Sequence, residues 1–171
     1  MDYRADNSLN VLLVLAHGAG AGERHPFMTT FGRSLAARGI DVVTFNFPSM
    51  EQKRRVPDKA PVLEARFRGV IAAARQGELA SRRLFLGGKS MGGRMATHLA
   101  SQGGVDGLSG VIALGYPLHP PGKPDQPRTA HLPAITCPVL IVQGEHDVFG
   151  TPREMEPVIA AMRSEEHTSE L

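Results

Sequence analysis

The chain has 171 residues, 42% of them hydrophobic and 21% charged, with a formal net charge of +2. That balance suits one globular domain with a sizeable core and excludes the disordered and membrane classes, since no apolar run approaches the ~18 residues of a membrane helix. Cys137 is the only cysteine, which rules out an internal disulfide and a cysteine-built zinc site. Met1 to Asn10 is polar and unlike a signal peptide, so a cytoplasmic protein without a membrane partner is expected. The basic cluster Lys53-Arg54-Arg55 has no interleaved aromatic residues and reads as a solvated loop, so no nucleic-acid partner is expected either.

Val11 to Ala16 is a continuous apolar run ended by His17-Gly18, the pattern of a strand buried on both faces of a parallel sheet. Phe27 to Arg38 is predicted as a helix stopped by Gly39, and Ile40 to Phe47 as a second strand closed by Pro48 and followed by a polar loop. Ala60 to Gly77 carries Val62, Leu63, Phe67, Val70 and Ile71 at helical spacing, which turns one face toward a sheet. Leu84 to Leu86 is the third strand, followed by a helix over Arg94 to Ala100 that ends at Gly103-Gly104. Val111 to Leu114 and Pro138 to Gly144 supply the fourth and fifth strands, and Cys137 reads as a core residue at the strand edge. Thr151-Pro152 opens a last helix that continues through Met162, with a capping hydroxyl and a proline in the first turn. Such alternation predicts right-handed crossovers and a doubly wound, mostly parallel α/β sheet, with ligands beyond the carboxyl ends of the strands.

Gly88-Lys89-Ser90-Met91-Gly92 lies between the third strand and its helix, the setting of a G-x-S-x-G nucleophile elbow. The turn is tight enough to strain the serine backbone, and glycines two positions to either side let neighbouring chain approach. Counting removes two rival readings of these glycines. A phosphate-binding loop ending in Gly88-Lys89-Ser90 needs glycine where Arg83 stands, and a dinucleotide fingerprint from Gly18 needs glycine where Glu23 stands.

Acyl transfer needs a nucleophile, a base, an acid that orients the base, and donors for the oxyanion. Ser90 is the candidate nucleophile, with the backbone N–H of Met91 as one oxyanion donor and an N–H near Ala19 as the other. Asp147, just after the fifth strand, is the candidate acid, although with Gly150 it can also be read as the start of a turn. His17 is expected to orient the Ala19 loop by local hydrogen bonds. The proline-rich stretch Tyr116 to Pro133, with His119, Arg128 and His131, is expected to rim the cleft, its histidines bonded locally. Lys89 reads as half of a surface ion pair in preference to a contact for an anionic substrate. No metal or other cofactor is expected, because His17, His25, His146 and Asp147 lack the helical spacing of a zinc motif.

Together with Leu15 to Gly22, His25 to Met28, Gly87 to Arg94, Leu114 to Lys123, and Gln143-Gly144 with Asp147 and Phe149-Gly150, the chain resembles the α/β-hydrolase superfamily. More narrowly it is similar to the small serine-hydrolase-like family related to dienelactone hydrolases, which includes a testis-expressed protein and subunit 3 of the non-specific-lethal histone acetyltransferase complex. The resemblance spans Asn10 to Met162 and implies hydrolysis of a small-molecule ester or similar acyl substrate, with Ser90 and Asp147 in the roles above. It also implies a further strand and then a loop carrying the catalytic histidine. Residues 163–171 have neither pattern, and they resemble the in-frame translation of a sequencing-library adapter. A single domain over 1–162, incomplete at its C-terminus and lacking that last strand and loop, is therefore expected, followed by a non-native tail over 163–171. Without the tail 18 basic and 14 acidic residues remain, a formal charge of +4. His167 is not expected to serve as the base, because no returning strand lies between it and Asp147.

Overall fold

A computed structural model describes residues 1–164 of the chain. In chain order the elements are β1 Asp2–Tyr3, β2 Val11–Ala16, α1 Pro26–Ala36, β3 Ile40–Phe45, α2 Pro48–Glu51, α3 Ala60–Ala74, β4 Arg83–Lys89, α4 Met91–Gln102, β5 Leu108–Leu114, β6 Val139–Val142 and α5 Pro152–Ser164. A 3-10 turn, Leu132–Ala134, interrupts the loop before β6. The sheet order is β1-β3-β2-β4-β5-β6, parallel throughout except for β1, which pairs antiparallel with β3. No helix among the described residues is long and apolar enough to cross a membrane.

Alternation along the strands divides the core between the two sheet faces. Leu12, Val14, Leu84, Leu86 and Val111 pack toward α3 and α4, against Leu63, Phe67, Met95 and Leu99. That layer continues into Tyr116, Leu132 and Met155, the last from α5. Leu13, Leu15 and Val42 face the other way, onto Met28 of α1. At roughly 1.5–3 kcal/mol for each large side chain taken fully out of water, these layers supply the main driving force for the fold.

The sheet is doubly wound, as expected, with several local departures. β1 is too short for periodicity to reveal; its Tyr3 ring packs on Gly32 of α1, where a Cβ would stand 2.7 Å from the ring. Part of the expected polar loop after β3 is helical: Pro48 begins α2, and the Ser49 N–H donates to Asp58 at 2.7 Å. Val62 is 45% exposed instead of facing the sheet, because α3 buries the narrower stripe Leu63, Phe67 and Ile71. α4 starts three residues earlier than expected, immediately after the serine. Cys137 sits half-buried just before β6, beside both Ile135 and Val139. Leu140 and Val142 on β6 are 56% and 52% exposed.

Candidate active site

β4 ends at Lys89 and α4 begins at Met91, so Ser90 alone makes the bend, at φ 50° and ψ −114°. A side chain seldom adopts that left-handed backbone. The flanking glycines show why the chain accepts it. A Cβ on Gly88 would lie 2.6 Å from the nitrogen of Gly93, and one on Gly92 would lie 2.7 Å from the His17 carbonyl oxygen. Only glycine lets the first turn of α4 press against the ends of β2 and β4. The Ser90 N–H donates to the Leu114 carbonyl at 2.9 Å, which fastens the bend to β5.

Among the described residues the Ser90 hydroxyl has no hydrogen-bond partner. Ser90 opens on a cleft of about 310 Å³, walled by Ala19, Met91, Arg94, Pro117, Arg128 and Phe149. The Met91 N–H is the first of α4, without an acceptor inside the helix, and the positive end of the helix dipole lies beside it. Ala19 follows β2 in a loop pressed on the elbow, since a Cβ on Gly18 would lie 3.7 Å from the Ser90 Cβ.

His17 orients that loop. Its Nδ1 lies 2.6 Å from the Gly18 carbonyl and its Nε2 accepts the Phe47 N–H at 3.0 Å, which assigns the proton to Nδ1. The bond to Phe47 also ties the loop after β2 to the end of β3, a longer reach than the local role expected from sequence. Burial holds the imidazole below its usual pKa, so it stays neutral.

Asp147 stands beyond β6. Its Oδ1 accepts the Phe149 N–H at 2.9 Å and its Oδ2 accepts Gln143 Nε2 at 3.2 Å. It also begins the turn that sequence allowed, with the Gly150 N–H on its carbonyl at 3.1 Å. The strand ends bring it near the elbow: a Cβ on Gly115, the residue after Leu114, would lie 3.3 Å from Asp147 Oδ2. Gln143 entered the resemblance without a role assigned to it. Its amide joins the Tyr116 N–H, the Gly150 carbonyl and the Asp147 carboxylate, and no local pattern announces such a hub.

The proline-rich stretch does rim the cleft, through Pro117 and Arg128. Its histidines bond elsewhere: His119 to the Pro120 carbonyl and Glu154, His131 to Thr97 at 2.9 Å, with the His131 ring 4.0 Å from that of His98. Burial, then the nearby His98 and Arg94, push His131 down to about 4. Among the described residues no imidazole bonds Ser90 or Asp147, and His167 lies outside them. Among the described residues Lys89 forms no ion pair; its ammonium sits 4.6 Å over the Phe27 ring, a cation–π contact in place of the expected carboxylate. No group of three or more metal-ligating side chains occurs among the described residues.

The alpha/beta hydrolase domain family matches residues 9–169. Among solved structures, a Thermus thermophilus protein is similar at 21% identity and a TM-score of 0.73, over 96% of this chain and 78% of that one. A Xanthomonas campestris serine hydrolase without a lid gives 21% and 0.67, over 91% and 69%. A dienelactone hydrolase from Anabaena variabilis gives 15% and 0.63, over 96% and 88%. These three likenesses carry the fold alone. With a family match running almost end to end over a parallel sheet crowned by a serine elbow, the chain belongs to the alpha/beta hydrolase family.

Proposed function

We propose that this chain is the body of a serine hydrolase of dienelactone-hydrolase-like type that cleaves an ester, lactone or similar acyl compound through an acyl-enzyme on Ser90. The observation that carries the reading is the left-handed backbone of a non-glycine residue at the strand-to-helix bend, with its hydroxyl open to a cleft. In this reading Ser90 Oγ bonds to the acyl carbon and its proton passes to an imidazole. The N–H groups of Met91 and Ala19 hold the oxyanion until the carbon–oxygen bond to the leaving group breaks and the leaving group takes the proton. Water repeats the sequence to release the acid. Asp147, already held by Gln143 and Phe149, orients the imidazole.

The imidazole is proposed to come from a strand and loop that follow residue 162 in a longer parent protein, in place of the tail 163–171. The exposed Leu140 and Val142 on the edge strand β6 support a further element there. Without that base, turnover falls several orders of magnitude below that of a full triad. Membership of the narrower family that includes the testis-expressed protein and the acetyltransferase subunit, and a cytoplasmic setting, belong to the same proposal. A fluorophosphonate probe tests it: the intact protein is labelled and Ser90→Ala is not, whereas equal labelling rejects the nucleophile. The rival reading is a non-catalytic interaction module, favoured by the lack of an imidazole bonded to Asp147 among the described residues. It predicts no labelling of either form.

A further inference from the structure

We infer that Arg94 and Arg128 form a receptor for an anionic group, a carboxylate or a phosphate, carried by the acyl compound presented to Ser90. The inference rests on the nucleophile reading above. Both arginines line the Ser90 cleft and both are half-buried. Among the described residues, neither guanidinium has a hydrogen-bond acceptor or a carboxylate partner. Of the other arginines whose side chains are described, those that lack a partner are Arg24, Arg33, Arg55, Arg83 and Arg153, and all five are exposed to water. A guanidinium withdrawn from water without an acceptor is costly, and a second one beside it adds repulsion, so an anion between them relieves both.

Two carboxylates around this pair, Asp58 on the cleft wall and Glu64 within electrostatic reach of Arg94, are already engaged. Asp58 accepts Arg54 at 2.5 Å and the Ser49 N–H at 2.7 Å. Glu64 is taken by His98 at 3.1 Å and Gln102 at 3.0 Å. Tyr116 supplies no charge, since its hydroxyl donates to the Arg128 carbonyl at 2.6 Å. Arg94 lies four residues beyond Ser90 on α4, a rise of about 6 Å, which suits an anionic group separated from the reacting carbonyl by a short chain. Planar forks of this kind match carboxylate and phosphate oxygens in pairs.

Calorimetric titration with monomethyl glutarate, dimethyl glutarate and inorganic phosphate tests the assignment. Monomethyl glutarate should bind, and Arg94→Gln and Arg128→Gln should each weaken it roughly 10- to 100-fold, as for hydrogen bonds to charged groups. Arg33→Gln, an exposed cation on α1, should leave the affinity unchanged. Phosphate bound more tightly than the monoester, and lost in the same two variants, assigns the anion as phosphate and retains the receptor. Equal affinity for the neutral diester overturns the inference, as do wild-type affinity in both variants at an unchanged melting temperature and a failure of both anions to bind. Fluorophosphonate labelling separates the two claims: labelled Ser90 without anion binding rejects the arginine pair alone, and anion binding without labelling rejects the nucleophile alone.

Discussion

Replacing Ser90 by glycine should stabilise the protein while removing the hydroxyl proposed as the nucleophile. At φ 50° and ψ −114° the serine occupies backbone that costs roughly 1–3 kcal/mol for a residue with a Cβ. Glycine relieves that strain but brings a more flexible unfolded chain, which offsets about 0.5–1 kcal/mol. Loss of the hydroxyl adds little, because it has no hydrogen-bond partner among the described residues. The net gain is about 0–2.5 kcal/mol, centred near 1, and at roughly 2–4 °C per kcal/mol for a chain of this size the melting temperature should rise by about 2–4 °C at the centre and up to about 10 °C. Ser90→Ala keeps the Cβ and the strain, so it should melt within about 2 °C of wild type. Thermal unfolding of the three proteins followed by circular dichroism at one pH measures the difference. A Ser90→Gly protein that melts at or below Ser90→Ala would refute the claim that strain is stored at the elbow.

Two glycine substitutions should move stability in opposite directions. Gly88→Ala puts a Cβ 2.6 Å from the Gly93 nitrogen and 2.8 Å from the Ala16 carbonyl oxygen, both backbone, so a loss of about 3 kcal/mol and a melting temperature lower by about 6–12 °C are expected. Gly69→Ala in α3 meets nothing within 4 Å and should raise the melting temperature by about 1–4 °C, through better helix propensity. Stability should also depend on His131. Its folded pKa of about 4 lies below the ordinary 6.5, so the unfolded chain binds the proton first, and stability complete above about 6.5 is lost as the pH falls toward 4. His17 and His98, both held low by burial, act in the same sense. Melting at pH 7 and pH 5 should show the fall, and His131→Gln should reduce it; an unaltered slope in the variant assigns the loss to other groups.

Features that depend on a few neighbouring residues were legible before the fold was known. Val11 to Ala16 is apolar at every position because a central parallel strand is covered on both faces, so its limits are written in composition alone. The bend at Ser90 was equally visible, since the close approach of α4 demands glycine at positions set by the turn itself. Where a helix points its apolar stripe was less so: helical spacing admitted Val62, but α3 buries Leu63, Phe67 and Ile71 and leaves that residue outside.

Sequence by itself thus determined the alternation of strands and helices, the elbow, and the order in which Ser90 and Asp147 arrive. Tertiary structure alone decided that Gln143 joins Tyr116, Asp147 and Gly150, that His17 reaches Phe47, and that Arg94 and Arg128 face one cleft without partners among the described residues. The division has a physical cause. Backbone conformation and burial periodicity are set within one turn or one strand, whereas a contact between residues 30 or more positions apart, such as Phe47 with His17, exists only once strand register and loop paths bring the two together.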